Sequence, residues 1–156
     1  MLDLIIKNGL CYIDKDIKDQ DIAIKDGKII KIGKIDSEAK ETFDAGGLTV
    51  LPGCIDTQTH FREPGSTDTE DLHSGSMAAI VGGITSVFEM PNTNPPTSTK
   101  IEFQKKLDLA KNRMYCNYAF YFGATADNAN ELADLVNLEG CCGIKLFAGS
   151  STGNLL

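Results

Sequence analysis

Four polar residues recur at every second position in Asp56-Thr57-Gln58-Thr59-His60-Phe61-Arg62, the stretch of this sequence best equipped for chemistry. They follow a mostly apolar run, Leu48 to Ile55, and lead into Glu63-Pro64-Gly65, which carries a turn signal. On a strand, residues two apart share a face. Asp56, Gln58 and His60 therefore point one way, and Arg62 continues the line past the strand end. A carboxylate, an amide, an imidazole and a guanidinium on one face of a buried strand are costly without partners. A metal ion or an anionic ligand would supply them; the alternative is a polar face solvated by water.

Two further positions have chemical potential. Asn92 sits in Met90-Pro91-Asn92-Thr93, after the run Ile84 to Met90, where an amide either shapes a turn or binds a ligand. Lys145 lies inside Gly143-Ile144-Lys145-Leu146-Phe147. An ammonium in such a run is either desolvated, which lowers its pKa and frees the amine for chemistry, or it snorkels to the strand edge. The other histidine, His73, falls in a helical pattern and reads as solvated. Cys11, Cys54, Cys116, Cys141 and Cys142 show no Cys-x-x-Cys spacing and read as small core hydrophobes, with zinc ligation as the alternative.

The elements that must position these groups change character near residue 50. Before it, the pattern is all-β: a short strand at Leu4 to Ile6 ended by Asn8-Gly9, then Asp21 to Lys25 and Lys28 to Ile32 flanking the hairpin signal Asp26-Gly27. After it, strand-like runs alternate with helical patterns, the rhythm of parallel βα units. The strands are expected over 48–60, 84–90, 115–122 and 142–147. Helices are expected over 70–81, from an N-cap at Ser98 to Asn112, and over 128–138. The fold class expected is α/β: the first half of a (β/α)8 TIM-type barrel preceded by a small all-β N-terminal domain. Residues 1–50 form the β domain and 51–156 the first four βα units. A whole barrel needs roughly 250 residues, so the 156 residues here are expected to be the front part of a longer protein.

A net charge of −7 with no basic patch argues against a nucleic-acid partner. No apolar run is long enough for a transmembrane helix. Asp3 and Lys7 interrupt any signal-peptide core. An odd number of cysteines without a secretory signal suggests reduced thiols and a cytoplasmic setting.

Three stretches together resemble the dihydroorotases of the amidohydrolase superfamily: Asp56 to Gly65, Glu89-Met90-Pro91-Asn92-Thr93, and Gly143 to Phe147 closing on Gly149-Ser150-Ser151-Thr152-Gly153. They occur in order, each at an expected strand end. The resemblance implies a metal-dependent eightfold barrel that interconverts dihydroorotate and N-carbamoyl-aspartate in pyrimidine synthesis. It implies His60 as a metal ligand, Lys145 as the lysine carboxylated to a carbamate that bridges two zinc ions, and Arg62 and Asn92 as the holders of the substrate carboxylate. Allantoinases share Glu63-Pro64-Gly65 but usually carry Asn where Arg62 stands; hydantoinases and dihydropyrimidinases also lack that arginine.

Gln58 departs from the family pattern Asp-x-His-x-His, where it replaces the first histidine. A neutral amide oxygen is a poor zinc ligand beside imidazole, so one zinc or two is left open. The family's remaining metal histidines and its catalytic aspartate belong to later strands. No catalytic residue is therefore expected in this chain, which is expected to be inactive alone. The expected partners are the small-molecule substrate and, in the complete protein, further copies in a homo-oligomer. Alternative readings are a non-catalytic scaffold subunit of aspartate transcarbamoylase, an allantoinase- or dihydropyrimidinase-type cyclic amidohydrolase, and a plain α/β domain without a site.

Overall fold

A computed structural model describes residues 1–153 and 155. The chain forms two compact units, Met1–Pro52 and Gly53–Leu156.

The first unit is a single sheet. Its strands are β1 (Leu2–Ile13), β2 (Asp16–Lys25), β3 (Lys28–Gly33), β4 (Ala39–Asp44) and β5 (Thr49–Val50). The order is β3-β2-β1-β4, and β5 also pairs with β1. Asp26 and Gly27 both take positive φ, 51° and 70°, as a tight hairpin turn requires. Asn8-Gly9 does not end the first strand as expected. It forms a bulge, with the register shifting between Ile6 and Gly9, and β1 runs on to Ile13. Asn8 takes φ 59°, its backbone N–H donates to Asp21 Oδ1 (3.1 Å) and its Nδ2 donates to Asp44 Oδ1 (3.0 Å). Gly9 is required there because a Cβ would lie 2.7 Å from Val50 Cγ2. Ile5, Ala23 and Ile35 make the small core, with Leu2 and Ala39 packed against it.

The run expected as one buried strand over 48–60 is divided. Thr49–Val50 joins the first sheet, Pro52-Gly53 interrupts, and β6 (Cys54–Thr59) opens the second. Proline has no N–H for a ladder, which accounts for the break. The second unit continues through α1 (Leu72–Val81), β7 (Ile84–Glu89), α2 (Lys100–Ala110), β8 (Asn117–Gly123), a 3-10 turn (Ala129–Glu131), α3 (Leu132–Leu135) and β9 (Cys141–Lys145). The four strands lie in sequence order, β6-β7-β8-β9, all parallel. Four parallel strands alternate with three helical segments, the rhythm expected of parallel βα units. Val87, Phe120 and Phe122 from the sheet pack with Leu72, Phe103 and Leu135 from the helices in one core.

Helix starts differ from expectation for local reasons. Asp71 caps α1: its Oδ1 accepts from the Ser74 N–H at 2.6 Å, and Ser74 answers in a capping box. Thr99, not Ser98, caps α2 by accepting from the Glu102 N–H at 3.2 Å. Ser98 is buried, and its carbonyl accepts from Asn128 Nδ2. Asn128 also donates to the Gly123 carbonyl and accepts from the Thr125 N–H. That cross-link consumes the residue expected to start the third helix, which is reduced to four residues after the 3-10 turn.

Candidate functional site

Parallel pairing brings the C-terminal ends of the four strands to one edge of the sheet. His60 directly follows β6, Asn92 lies three residues beyond β7, and Lys145 is the last residue of β9. His60 Nδ1 and Asn92 Oδ1 are 2.8 Å apart. An amide oxygen only accepts, so Nδ1 carries the hydrogen, and in the neutral ring Nε2 is the nitrogen with the lone pair. A histidine held this way suits a metal, because a partner on one ring nitrogen orients the other. Arg62 and Asn92 line the same small cavity, about 100 Å³, together with Ser66, Asn94 and Thr152. A guanidinium-bearing and an amide-bearing residue lining one space suit a carboxylate. A larger groove of about 790 Å³ runs along α2 past Phe103, Leu107 and Tyr118, and holds none of the candidate residues.

The other candidates are placed as follows. Gln58 is exposed on β6, and its backbone N–H donates to Asp56 Oδ1 at 2.9 Å. Asp56 thus engages its own strand, at the point where pairing with β7 shifts register. Lys145 is half-buried, with its Nζ 5.0 Å from the centre of the Phe147 ring. The strand ends at Lys145 instead of running to Phe147, so the lysine is not enclosed in a strand interior. His73 is exposed and packs obliquely on Tyr115, ring centres 5.0 Å apart. Cys11 and Cys116 are buried as expected, whereas Cys54 is exposed. Burial pushes the Cys142 thiol up to about 12, far from the thiolate form a metal needs. Among the described residues, no three His, Cys, Asp or Glu side chains cluster as a metal site.

The desolvated lysine is Lys106. It is fully buried and forms an ion pair with Glu89 Oε2, which is also fully buried. Its Nζ donates to the Met90 carbonyl at 3.1 Å and sits 5.0 Å from the Phe120 ring centre. Glu89 Oε1 has no hydrogen-bond partner among the described residues. Burial pushes the Glu89 carboxyl up to about 7, and the Lys106 ammonium opposes that shift. The signal for this pair was present in the sequence: Phe103, Lys106, Leu107 and Ala110 follow the spacing of one helix face. A second pair, Glu63 with Arg113, joins residues fifty apart, and no local pattern announces it.

Residues 49–142 match the model of the Amidohydrolase family, and the chain belongs to that family. Family members are hydrolases that generally use metal ions. An allantoinase of Escherichia coli O1:K1 is 40% identical over 149 residues, covering 95% of this chain and 33% of that protein. A dihydroorotase of Methanosarcina acetivorans is 39% identical over 157 residues, covering 99% and 33%. The L-hydantoinase (dihydropyrimidinase) of Arthrobacter aurescens superposes with a TM-score of 0.90 at 34% identity, covering 99% of this chain and 35% of that one. The chain therefore spans about a third of the length of the relatives it matches, and its fold is the expected first half of an amidohydrolase barrel preceded by a small β unit.

Proposed function

We propose that this chain supplies the carboxylate-binding side, and part of the metal-binding side, of a dihydroorotase, which opens the cyclic amide of dihydroorotate to N-carbamoyl-aspartate and closes it again. The observation that carries this reading is the shared cavity of Arg62 and Asn92 beside His60. Arg62 holds the substrate carboxylate in a two-pronged hydrogen bond, and Asn92 adds its NH2 while its oxygen holds His60. This orients the ring so that the scissile amide faces the strand ends. The donors fit a metal in part: His60 offers Nε2, Gln58 a neutral oxygen, and Lys145 a ligand only once carboxylated, because an ammonium has no lone pair. When bound, zinc supplies polarisation of the amide carbonyl and a lowered pKa for the attacking water. None of the described residues is assigned the proton transfer.

Arg62 separates this reading from an allantoinase or hydantoinase, because allantoin and hydantoin carry no carboxylate. The test is calorimetric titration of the protein with N-carbamoyl-L-aspartate and with hydantoin, in the presence of zinc. Arg62→Ala should weaken N-carbamoyl-aspartate by about 1.5–3 kcal/mol, the worth of a charge-assisted hydrogen bond, and leave hydantoin unchanged. Equal binding of both ligands, unaffected by Arg62→Ala, would replace the dihydroorotate reading with a carboxylate-free substrate.

A further inference from the structure

Glu63 is out of place. It follows the exposed Arg62 in a loop whose residues 65–69 are all exposed, yet only 7% of its own surface is accessible. Its carboxylate is held at three points. Oε1 accepts from Arg113 Nη1 (2.7 Å), and Oε2 accepts from Arg113 Nη2 (3.1 Å) and from the backbone N–H of Leu72 (2.9 Å), the first residue of α1. Arg113 is itself anchored, because its Nη1 donates to the Leu109 carbonyl at 3.1 Å and its Nη2 lies 3.8 Å from Asp71 Oδ2. A parallel pair of N–H···O bonds fixes direction as well as distance, which a point charge cannot do.

The loop is fixed on its other side as well. The Ser66 N–H donates to the Arg62 carbonyl (2.8 Å), and the Asn94 N–H donates to the Pro64 carbonyl (3.0 Å). Gly65 takes φ +122°, and a Cβ there would lie 2.8 Å from Asn94 Cβ. The loop that carries Arg62 thus lies directly on the loop that carries Asn92. From this geometry we infer that Glu63 and Arg113 are positioning residues: their two-pronged pair sets where Arg62 stands relative to Asn92, and so tunes selectivity for a carboxylate-bearing ligand. What Arg62 binds rests on the function proposed above; how its loop is held does not.

The experiment uses Glu63→Gln, which keeps the shape and loses the charge, and Arg113→Lys, which keeps the charge and loses the fork. Amide hydrogen exchange of Ser66 and Asn94 reads the loop, that of Val87 and Phe120 reads the core, and titration with N-carbamoyl-L-aspartate and with hydantoin reads the site. Both variants should lower the protection of Ser66 and Asn94 about tenfold, with Val87 and Phe120 unchanged. Affinity for N-carbamoyl-aspartate should fall about tenfold while that for hydantoin holds. Unchanged loop protection overturns the inference, and so does an equal loss of protection in the core, which would make the pair a strut for the fold. A chain that binds no N-carbamoyl-aspartate before mutation counts against the proposed function, and the loop amides still decide whether the pair holds Arg62's backbone in place.

Discussion

At the scale of single residues, one amide carries two readings that the sequence leaves open. Asn92 reads either as a turn former or as a ligand binder, and its side chain has two ends. The oxygen lies 2.8 Å from His60 Nδ1, and the residue lines the cavity it shares with Arg62. If His60 is a metal ligand through Nε2, Asn92 fixes the ring's tautomer and direction. Asn92→Ala should then weaken zinc binding about 10–100-fold, the usual effect of losing such a partner. A chelator-competition titration checks the affinity, and the 15N shifts of the His60 ring check the tautomer. Unchanged affinity with a freed ring would show that the hydrogen bond does not serve the metal. The alternation Asp56, Gln58, His60 and Arg62 makes these residues visible in the sequence, because a strand has a fixed period of two. Glu63 was hidden because its partner comes from a turn fifty residues away.

At the scale of elements, the runs of apolar residues were legible and their interruptions were not. The four parallel strands appear where the βα rhythm predicts them. The third helix, however, loses most of its length to the hydrogen bonds of Asn128, and Asn8-Gly9 bends a strand instead of ending it. The pair that joins β7 to α2 shows how buried charge enters such a layer. Glu89 has an ordinary carboxyl value of 4.5 when unfolded and about 7 when folded, because burial disfavours its charge. The folded state therefore holds this proton more tightly. The group's stabilising contribution is full below pH 4.5 and is lost as the pH rises to about 7. Lys106, lowered by burial from 10.5, acts in the opposite sense below that value. Lys106→Met leaves the carboxylate without its counter-charge and should cost about 3–5 kcal/mol. The loss should be larger at pH 8 than at pH 5, where Glu89 can take up a proton. Adding Glu89→Leu should recover most of it. Urea denaturation of the single and double variants at both pH values measures this, and a double variant no more stable than the single would show that the loss does not come from the unpaired charge of Glu89.

At the scale of the whole molecule, the chain divides into two units of unequal means. The unit Gly53–Leu156 buries Leu72, Val87, Phe103, Phe120, Phe122 and Leu135 in one continuous cluster. The unit Met1–Pro52 buries only Ile5, Ala23 and Ile35 in its cluster, two of them β-branched and one an alanine. Its sheet leaves Ile29, Ile30 and Phe43 more than half exposed. A domain below roughly 70–80 residues rarely draws more than about 3–5 kcal/mol from a single core, and the smaller unit has neither a disulfide among its described cysteines nor a second layer of secondary structure. Its hydrogen bonds close a sheet but do not replace the missing apolar burial, because each contributes only about 1 kcal/mol net. The amides of β1 and β2 should therefore exchange with solvent at least tenfold faster than those of β7 and β8. Moderate urea should release them in a separate, earlier transition. Residue-resolved hydrogen exchange across a urea series measures both. If the two sets of amides open together with one free energy, the small core of Met1–Pro52 does not limit its stability.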